Sequence, residues 1–463
     1  MDKNTPTIKV PLKSKIAYFF SDFGHQGVMW NFVNTYIMFF FTDILGITPA
    51  AAGVLLLVVN IFDGVNDPFI GWLCDRTRTK WGAYRPHIIG FAIPMGIMTV
   101  LCFVAPDFSG GAKLAYAYLA YTLFTVVGTF TGTGFGALPA VMTDDPQERV
   151  VLGACRDFGA NLGGFVMNLV CVSLVLHFSE SSVPTEGGIR TVAFLVGCWV
   201  AGCLLICGLG CKEKITPADE PVSLWKSLGS IFKNKPAICL ILMVTCINAF
   251  LSFKGTLSTY YCIDYLGDYK LMTPIMTLQF TTPVVGLVFV PKIVSVIGKK
   301  KMFIASGICA VLSGVLLLVA QQNTIMVCIA SLCCGLVVTG VFATIWGTMP
   351  DAADYGEWKT GVYCPGVITS LAVLATKIGS AIAQWGASLV LTMSGYDASL
   401  EVQTAATGNA IYWSVGIVPI VLGAISILCI LPYDLTPEKL AEVNKDLKAR
   451  RLEKAKAAER AEI

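Results

Sequence analysis

Stretches of about 20 apolar residues, the length that crosses a lipid bilayer as a helix, recur along this 463-residue chain. We count twelve of them, at 16–46, 48–74, 86–106, 114–142, 152–178, 191–211, 237–265, 272–297, 301–320, 325–350, 362–393 and 409–432. A composition of 55% hydrophobic and 14% charged residues, with a mean hydropathy of +0.70, excludes an ordinary soluble globular protein. The sequence therefore predicts an all-α polytopic membrane protein with twelve transmembrane helices.

Lysine and arginine are concentrated in the connections on one side of these predicted spans. These basic connections are 3–15, 76–85, 212–235, 292–301 and 439–460. The other side carries only Lys113, Arg190 and Lys270. By the positive-inside rule, both termini of this multi-pass chain are expected in the cytoplasm, with the chain in the cell membrane. The net charge of +3 does not indicate a nucleic-acid partner, because the basic residues lie in loops at the membrane face.

The second predicted span contains two carboxylates and a carboxamide in the run Asp63-Gly-Val-Asn66-Asp67-Pro68. On a helix, Asp63, Asn66 and Asp67 share one face, so their oxygens point to the same place. A carboxylate within a bilayer costs roughly 2.5 to 3.5 kcal/mol on insertion scales, so it needs a cation, a proton or water beside it. The run predicts a cation site; the alternative is a buried structural pair.

The chain divides into two sets of six spans. A polar, proline-containing stretch at 212–236 is predicted to link an N-terminal bundle, 1–211, to a C-terminal bundle, 237–433. Short basic loops occupy matching places in the two halves, at 71–80 and 291–301. This is the organisation of a major facilitator transporter, whose substrate site lies between the halves near the membrane midplane. The tail, 434–463, is predicted to form a solvated helix on the cytoplasmic face.

Two longer motifs carry a resemblance to a known family. The first is Asp63-x-x-Asn66-Asp67-Pro68, followed by a basic loop that ends at Arg85-Pro86. The second runs from Trp346 to Gly361 and is followed by a lysine in the eleventh span. Both motifs resemble those of the glycoside-pentoside-hexuronide:cation symporters, the group of melibiose permease. The resemblance extends over essentially the whole chain and implies cation-coupled sugar transport on a major facilitator fold.

The resemblance implies roles for particular residues. Asp63 and Asp67 inherit the binding of a coupling Na⁺, Li⁺ or H⁺, with Asn66 and Thr129 as neighbouring oxygen donors. This agrees with the preference of hard cations for oxygen ligands. The residues that match basic positions near the family's sugar and cation sites are Arg156 and Lys377. Alternatively, these two neutralise the acids structurally when no cation is bound.

This chain also departs from melibiose permease at the sugar site. The two aspartates that hold galactoside hydroxyls there align with Gln26 and Gly132, and the stacking tryptophan aligns with Gly136. A lysine, Lys254, is gained inside the seventh span. Because intramembrane charges are usually functional, we predict that Lys254 contacts an anionic substrate, such as a hexuronide or sulfonated sugar. The alternative for Lys254 is snorkelling to the interface or pairing with an acid.

Further polar and aromatic residues complete the predicted sites. Those expected to face the substrate pocket, or otherwise to make helix–helix contacts, are Gln26, Trp30, Asn34, Thr131 and Trp346. A gate of salt bridges between the two halves is predicted at the basic loops. Its residues are Asp75, Arg76, Arg78, Asp351, Asp354 and Glu357.

Other functional classes have less support in the sequence. A lysophospholipid transporter coupled to a cation is the main alternative, with the headgroup meeting Arg156 and Lys254. An enzyme is not predicted, because the three histidines are dispersed and the seventeen cysteines show no zinc spacing. No cofactor is expected beyond the coupling Na⁺ or H⁺, which the sequence does not separate. The expected partners are a small-molecule sugar or glycoside, the cation and membrane lipid, and the chain is expected to act as a monomer.

Overall fold

The computed structural model describes residues 9–143, 145–214, 232–286, 289–361, 365–400, 402–436, 438–443 and 445–447. Within these ranges the chain is almost entirely helical. The N-terminal half contains α1 (Leu12–Asp22), π1 (Phe23–Trp30), α2 (Asn31–Phe39), π2 (Phe40–Ile44), α3 (Pro49–Arg76), α4 (Arg85–Leu101), α5 (Gly110–Met142), α6 (Pro146–Ser179) and α7 (Glu186–Gly210). The C-terminal half contains α8 (Lys235–Tyr260), π3 (Tyr261–Tyr265), a 3₁₀ turn (Tyr269–Leu271), α9 (Met272–Gly286), α10 (Val290–Ile297), α11 (Lys299–Ala320), α12 (Thr324–Thr360), α13 (Pro365–Met393) and α14 (Ala405–Ile430).

Nine helices of the described chain are long and apolar enough to cross a membrane. The other three predicted spans are helical too, but each departs from one long apolar helix. The first, 16–46, runs through four segments of alternating α and π geometry. The third corresponds to the 17-residue helix Arg85–Leu101. The eighth, 272–297, corresponds to α9 and α10, which flank residues 287–288 outside the described chain.

Polar caps set the beginnings of several membrane helices. The side chain of Thr48 accepts the amide of Ala51 at 3.4 Å, just before Pro49 begins α3. Asn234 accepts the amide of Ala237 at 3.2 Å at the start of α8. Such caps satisfy amides that have no partner within the helix, and proline at the first helical position lacks such an amide.

Two π segments interrupt the first membrane helix. A π turn inserts an extra residue and rotates the side chains that follow it, and such turns are frequent at functional sites. Here π1 follows Asp22 and contains His25 and Gln26, all of which line a central cavity. Glycines let π1 approach α6 closely, since a Cβ at Gly27 would lie 2.8 Å from the Cα of Gly163.

The two halves meet along a few helix pairs. Helix α3 packs against α13, α6 packs against α9, and α2 packs against α8. Both chain ends of the described structure lie at one end of the bundle, which we call the terminal end; the other is the distal end. At the terminal end, Val443 and Leu447 of the tail are buried against the C-terminal half, so the tail helix docks on that half rather than being fully solvated.

Candidate functional site

Two acids of α3 share one lysine of α13. The ammonium of Lys377 donates to Asp63 Oδ2 at 2.8 Å and to Asp67 Oδ2 at 2.5 Å. The hydroxyl of Thr129, on α5, lies 2.8 Å from Asp63 Oδ1 and 3.1 Å from Asp67 Oδ1. The cluster therefore joins the two halves of the molecule through charged groups, since α3 and α5 belong to one half and α13 to the other.

The formal charges of this cluster do not balance. Two carboxylates face one ammonium, which leaves one negative charge, and the side chain of Asp63 is only 7% exposed. A monovalent cation would balance that charge, and carboxylate and hydroxyl oxygens are the donors that hard cations prefer. Asn66 lies on the same helix, and its buried carboxamide nitrogen has no hydrogen-bond partner in the described chain. The structure thus brings together Asp63, Asp67 and Thr129, and the role of Asn66 as a donor stays a prediction.

A cavity of about 530 Å³ lies between the halves. This is within the usual size range of small-molecule sites. Its charged lining residues are Asp22, Arg156 and Asp157. Its uncharged polar lining includes Gln26, Asn34, Asn248, Gln279 and Gln384. Such a dense array of amides and charges suits a ligand with many hydroxyl groups, because each hydroxyl both donates and accepts hydrogen bonds.

The cavity contains an ion pair between α1 and α6. Arg156 Nε donates to Asp22 Oδ2 at 2.5 Å. The guanidinium also lies over the ring of Phe135, 5.7 Å from its centroid. A Cβ built on Gly136 would come 4.0 Å from Arg156 Nη1, so the guanidinium occupies space beside the position where the family has its stacking tryptophan. Asp157 lines the same cavity, and two acids there outnumber the one arginine.

Several predicted substrate residues are placed elsewhere. Lys254 is 4% exposed and does not line the cavity in the described chain; its ammonium donates to Gln279 Oε1 at 3.3 Å. Trp30 packs edge-on against Phe124 within the N-terminal half, with ring centroids 4.9 Å apart, and is not among the described residues that line the cavity. Lys377 binds the carboxylates of α3 and does not line the cavity.

The remaining pocket predictions divide in the same way. Gln26 and Asn34 line the cavity. Thr131 is buried and lies 3.3 Å from His25 Nε2, so it makes a helix–helix contact. The side chain of Trp346 lies outside the part of the chain that the structure describes.

Contacts within one half are described for three of the predicted gate residues, and the gate between the halves stays a prediction. Asp351 pairs with Lys299 at 2.5 Å, and both belong to the C-terminal half. The guanidinium of Arg76 lies over the ring of Trp72, 4.3 Å from its centroid. Arg78 donates to the carbonyl of Thr77 at 3.2 Å, among other contacts.

Asp354 and Glu357 follow on α12, one and two turns after Asp351. The side chain of Asp75 lies outside the described residues.

Three further contacts between the halves lie at the distal end. The hydroxyl of Tyr396 donates to Asp43 Oδ1. The hydroxyls of Thr42 and Tyr260 lie 2.6 Å apart, and those of Tyr36 and Tyr269 are also hydrogen-bonded. These three contacts, which we call the distal latch, join π2 and α2 of one half to loops and helices of the other.

Comparison with known proteins identifies the fold and the family. A family model described as MFS/sugar transport protein matches residues 18–437. The chain belongs to the sugar-transport family of the major facilitator superfamily. The resemblance to the glycoside-pentoside-hexuronide group is confirmed, and the chain is a multi-pass membrane transporter and not an enzyme.

Relatives extend over nearly the full length of the chain. An uncharacterized symporter, YnaJ, of Bacillus subtilis is 31% identical over 96% of each chain. The isoprimeverose transporter of Lactiplantibacillus pentosus is 29% identical over 94% of this chain and 91% of that one. A glucuronide carrier protein homolog of Escherichia coli is 30% identical over 88% and 89%. The solved nucleoside transporter NupG shares the fold, with a TM-score of 0.62 and 13% identity over 91% of this chain and 97% of that one.

Sequence reasoning missed several residues of the site. Asp22 lies four residues before Gln26, and Asp157 directly follows Arg156, so an intramembrane carboxylate at each place was a usable signal. Gln384 is also visible in retrospect, since it lies seven residues after Lys377 and therefore on nearly the same helix face. The pairing of Asp22 with Arg156 has no such signal, because 134 residues separate the two.

Proposed function

We propose that this chain is a secondary active symporter that carries a sugar or glycoside into the cytoplasm together with Na⁺ or H⁺. The observation that carries the proposal is the cluster of Asp63, Asp67 and Thr129, which Lys377 of the other half closes. A cation that binds the two carboxylates competes with Lys377 and so acts on the contact between the halves. The polar cavity beside it takes the sugar. The terminal end is assigned to the cytoplasm because it carries the basic loops.

The cation supplies the driving force. One positive charge that moves through a potential of about 100 mV yields ~2.3 kcal/mol, which corresponds to about 50-fold accumulation. Asp63 and Asp67 accept the cation, whether Na⁺ or H⁺. The chain acts as a monomer in the cell membrane, since each monomer contains both halves of the cavity.

The charges of the cavity favour a neutral glycoside. The lining contains two acids, Asp22 and Asp157, and one arginine, Arg156. Lys254 is not among the described lining residues, and its ammonium donates to Gln279. An anionic substrate would therefore meet more negative than positive charge in the lining. An acidic sugar is the second candidate, favoured by Arg156 and by the glucuronide named for one relative. A lysophospholipid is not proposed, because the lining is rich in amides and charges and two of the relatives are named for isoprimeverose and for a glucuronide.

Uptake into liposomes tests this function. The reconstituted protein is offered isoprimeverose, a methyl glucuronide, sulfoquinovose, a methyl galactoside and a lysolipid, each with and without inward Na⁺ or H⁺ gradients. We expect gradient-dependent uptake of a sugar that Asp63→Asn abolishes. The control is Glu186→Gln, which removes an exposed carboxylate paired with Arg190 and is expected to leave uptake unchanged. Uptake indifferent to both gradients, or of lysolipid alone, would overturn the proposal.

A further inference from the structure

The seam between α3 and α13 contains a second polar contact beside the charged cluster. Asn60 Nδ2 donates to Gln384 Oε1 at 3.0 Å. Asn60 lies seven residues before Asp67, and Gln384 lies seven residues after Lys377. Seven residues make about two helical turns, so both contacts lie on the same two helix faces, about 10 Å apart along the seam.

Close packing holds the two helices in register. A Cβ built on Gly53 would lie 1.7 Å from Ser388 Oγ, so only glycine allows α13 to approach α3 at that point. At the other end of the seam, a Cβ on Gly64 would lie 2.8 Å from Leu374 Cδ1. A shift of α13 against α3 at Lys377 therefore also changes the distance between Asn60 and Gln384.

Gln384 belongs to the seam and to the cavity at once. Its side chain is 5% exposed and lines the cavity, whereas the charged cluster does not. Its Oε1 is occupied by Asn60, and its Nε2 makes no hydrogen bond to protein within the described chain. A hydroxyl group in the cavity can donate to Oε1 and accept from Nε2, and the first of these contacts competes with Asn60.

We propose that Asn60 and Gln384 couple the sugar to the cation. The cation draws Asp63 and Asp67 away from Lys377, and the sugar draws Gln384 away from Asn60. Each ligand thereby weakens the contact between α3 and α13. The ligand that binds first therefore lowers the free-energy cost of binding the second. This rests on the proposed symport and assigns Asn60 as a positioning residue, which touches neither ligand.

The linkage gives a quantitative signature. The cation tightens sugar binding by a factor, and the sugar must tighten cation binding by the same factor. In Asn60→Ala, Gln384 is available whether or not the cation is bound. We therefore expect this coupling factor to fall about fivefold, towards a value of one. Fivefold is the change in an equilibrium constant that one hydrogen bond usually contributes. Sugar binding without cation is expected to be unchanged or tighter in Asn60→Ala.

The experiment measures sugar and cation dissociation constants in detergent by calorimetry, using Na⁺ or pH and the sugar with the greatest uptake in liposomes. Asn248→Ala is the matched control, because this carboxamide lines the same cavity but donates to the carbonyl of Val244, away from the seam. It is expected to weaken sugar binding and retain the coupling factor. Gln384→Ala is expected to weaken sugar binding and lose the factor.

Two results separate this inference from the function on which it rests. Wild-type protein that binds or transports none of the sugars contradicts the symport itself. Wild-type coupling that persists unchanged in Asn60→Ala overturns the role of the seam. An Asn60→Ala protein whose sugar binding is weakened equally with and without cation shows a purely structural contact and also overturns it. Na⁺ or proton binding alone is expected to stay within about twofold of wild type, because Asn60 does not touch the charged cluster.

Discussion

At the scale of single residues, the charges of the side chains at each site determine which ligands that site can bind. The helical spacing of Asp63 and Asp67 could be predicted from sequence, because it depends only on the geometry of one helix. The balance of charge in the cavity could not. It depends on Asp22 meeting Arg156 across 134 residues and on Lys254 reaching Gln279 instead of the cavity. The order of charges along the chain does not reveal these pairings, so the charge of the cavity lining depends on the fold.

Asp22→Asn is predicted to shift substrate preference towards acidic sugars. The change removes one negative charge from the cavity and frees the guanidinium of Arg156. At an effective dielectric of about 20, a unit charge about 8 Å away is worth ~2 kcal/mol, so the ratio of glucuronide to neutral glycoside uptake is expected to rise at least about tenfold. Competition uptake in proteoliposomes measures the ratio.

Two variants make this result specific to the cavity. Asp22→Glu retains the charge and is expected to retain the wild-type preference. Glu186→Gln makes the same change of charge on an exposed side chain outside the cavity and is expected to leave the ratio alone. A folded Asp22→Asn protein with the wild-type ratio would show that the pair with Arg156 does not act on selectivity.

At the scale of helices, hydropathy predicted where the spans lie but not how they are broken. The twelve apolar stretches are recognisable because a helix must satisfy its own backbone in lipid. The π turns of the first span are not recognisable in this way; π1 lies where the glycines Gly27 and Gly163 let it approach α6 closely. The gate was predicted at the terminal end from basic residues there. The hydrogen bonds of the distal latch, by contrast, were not predicted, because the hydroxyl groups that form them carry no charge signal.

Removing one bond of the distal latch is predicted to open that end. Tyr396→Phe deletes the donor to Asp43 and keeps the ring. Native Cys262, fully buried next to Tyr261, is a reporter of opening. Its labelling by a maleimide is expected to be about fivefold faster in Tyr396→Phe, because one hydrogen bond is worth ~1 kcal/mol. Mass spectrometry of the peptide that contains Cys262 gives the rate.

The matched control for the latch is Tyr116→Phe. The hydroxyl of Tyr116 donates to the carbonyl of Leu101 at 2.7 Å, at the same end but within one half. This variant is expected to leave labelling of Cys262 unchanged. Equal rates in Tyr396→Phe and wild type would mean that the latch does not hold the distal end closed.

At the scale of the whole molecule, function depends on contacts that cross between halves. The sequence predicted two bundles and a site between them, because short basic loops occupy matching places in the two halves and carboxylates within a membrane usually have a function. It gave the pairing of Lys377 with Asp63 and Asp67 only as an alternative to a ligand contact, and it did not predict the contact between Asn60 and Gln384. Lys377 reaches Asp63 over 314 positions, and Gln384 reaches Asn60 over 324. Such pairs become visible only when α3 and α13 are seen side by side.

The response of transport to membrane potential reports the charge of the whole loaded carrier. With one cation per sugar, a neutral glycoside carries one positive charge inward, whereas a monoanionic sugar makes the cycle electroneutral. An inside-negative potential of about 100 mV, imposed with potassium and valinomycin, is therefore expected to raise the accumulation of a neutral glycoside about 50-fold. It is expected to leave that of a glucuronide unchanged.

Asp63→Asn should abolish both the accumulation and its response to the potential, since the cation then has no carboxylate pair. Accumulation of a neutral glycoside that ignores the potential would contradict net cation movement, and with it the assignment of Asp63 and Asp67 as the site where the transported charge is carried.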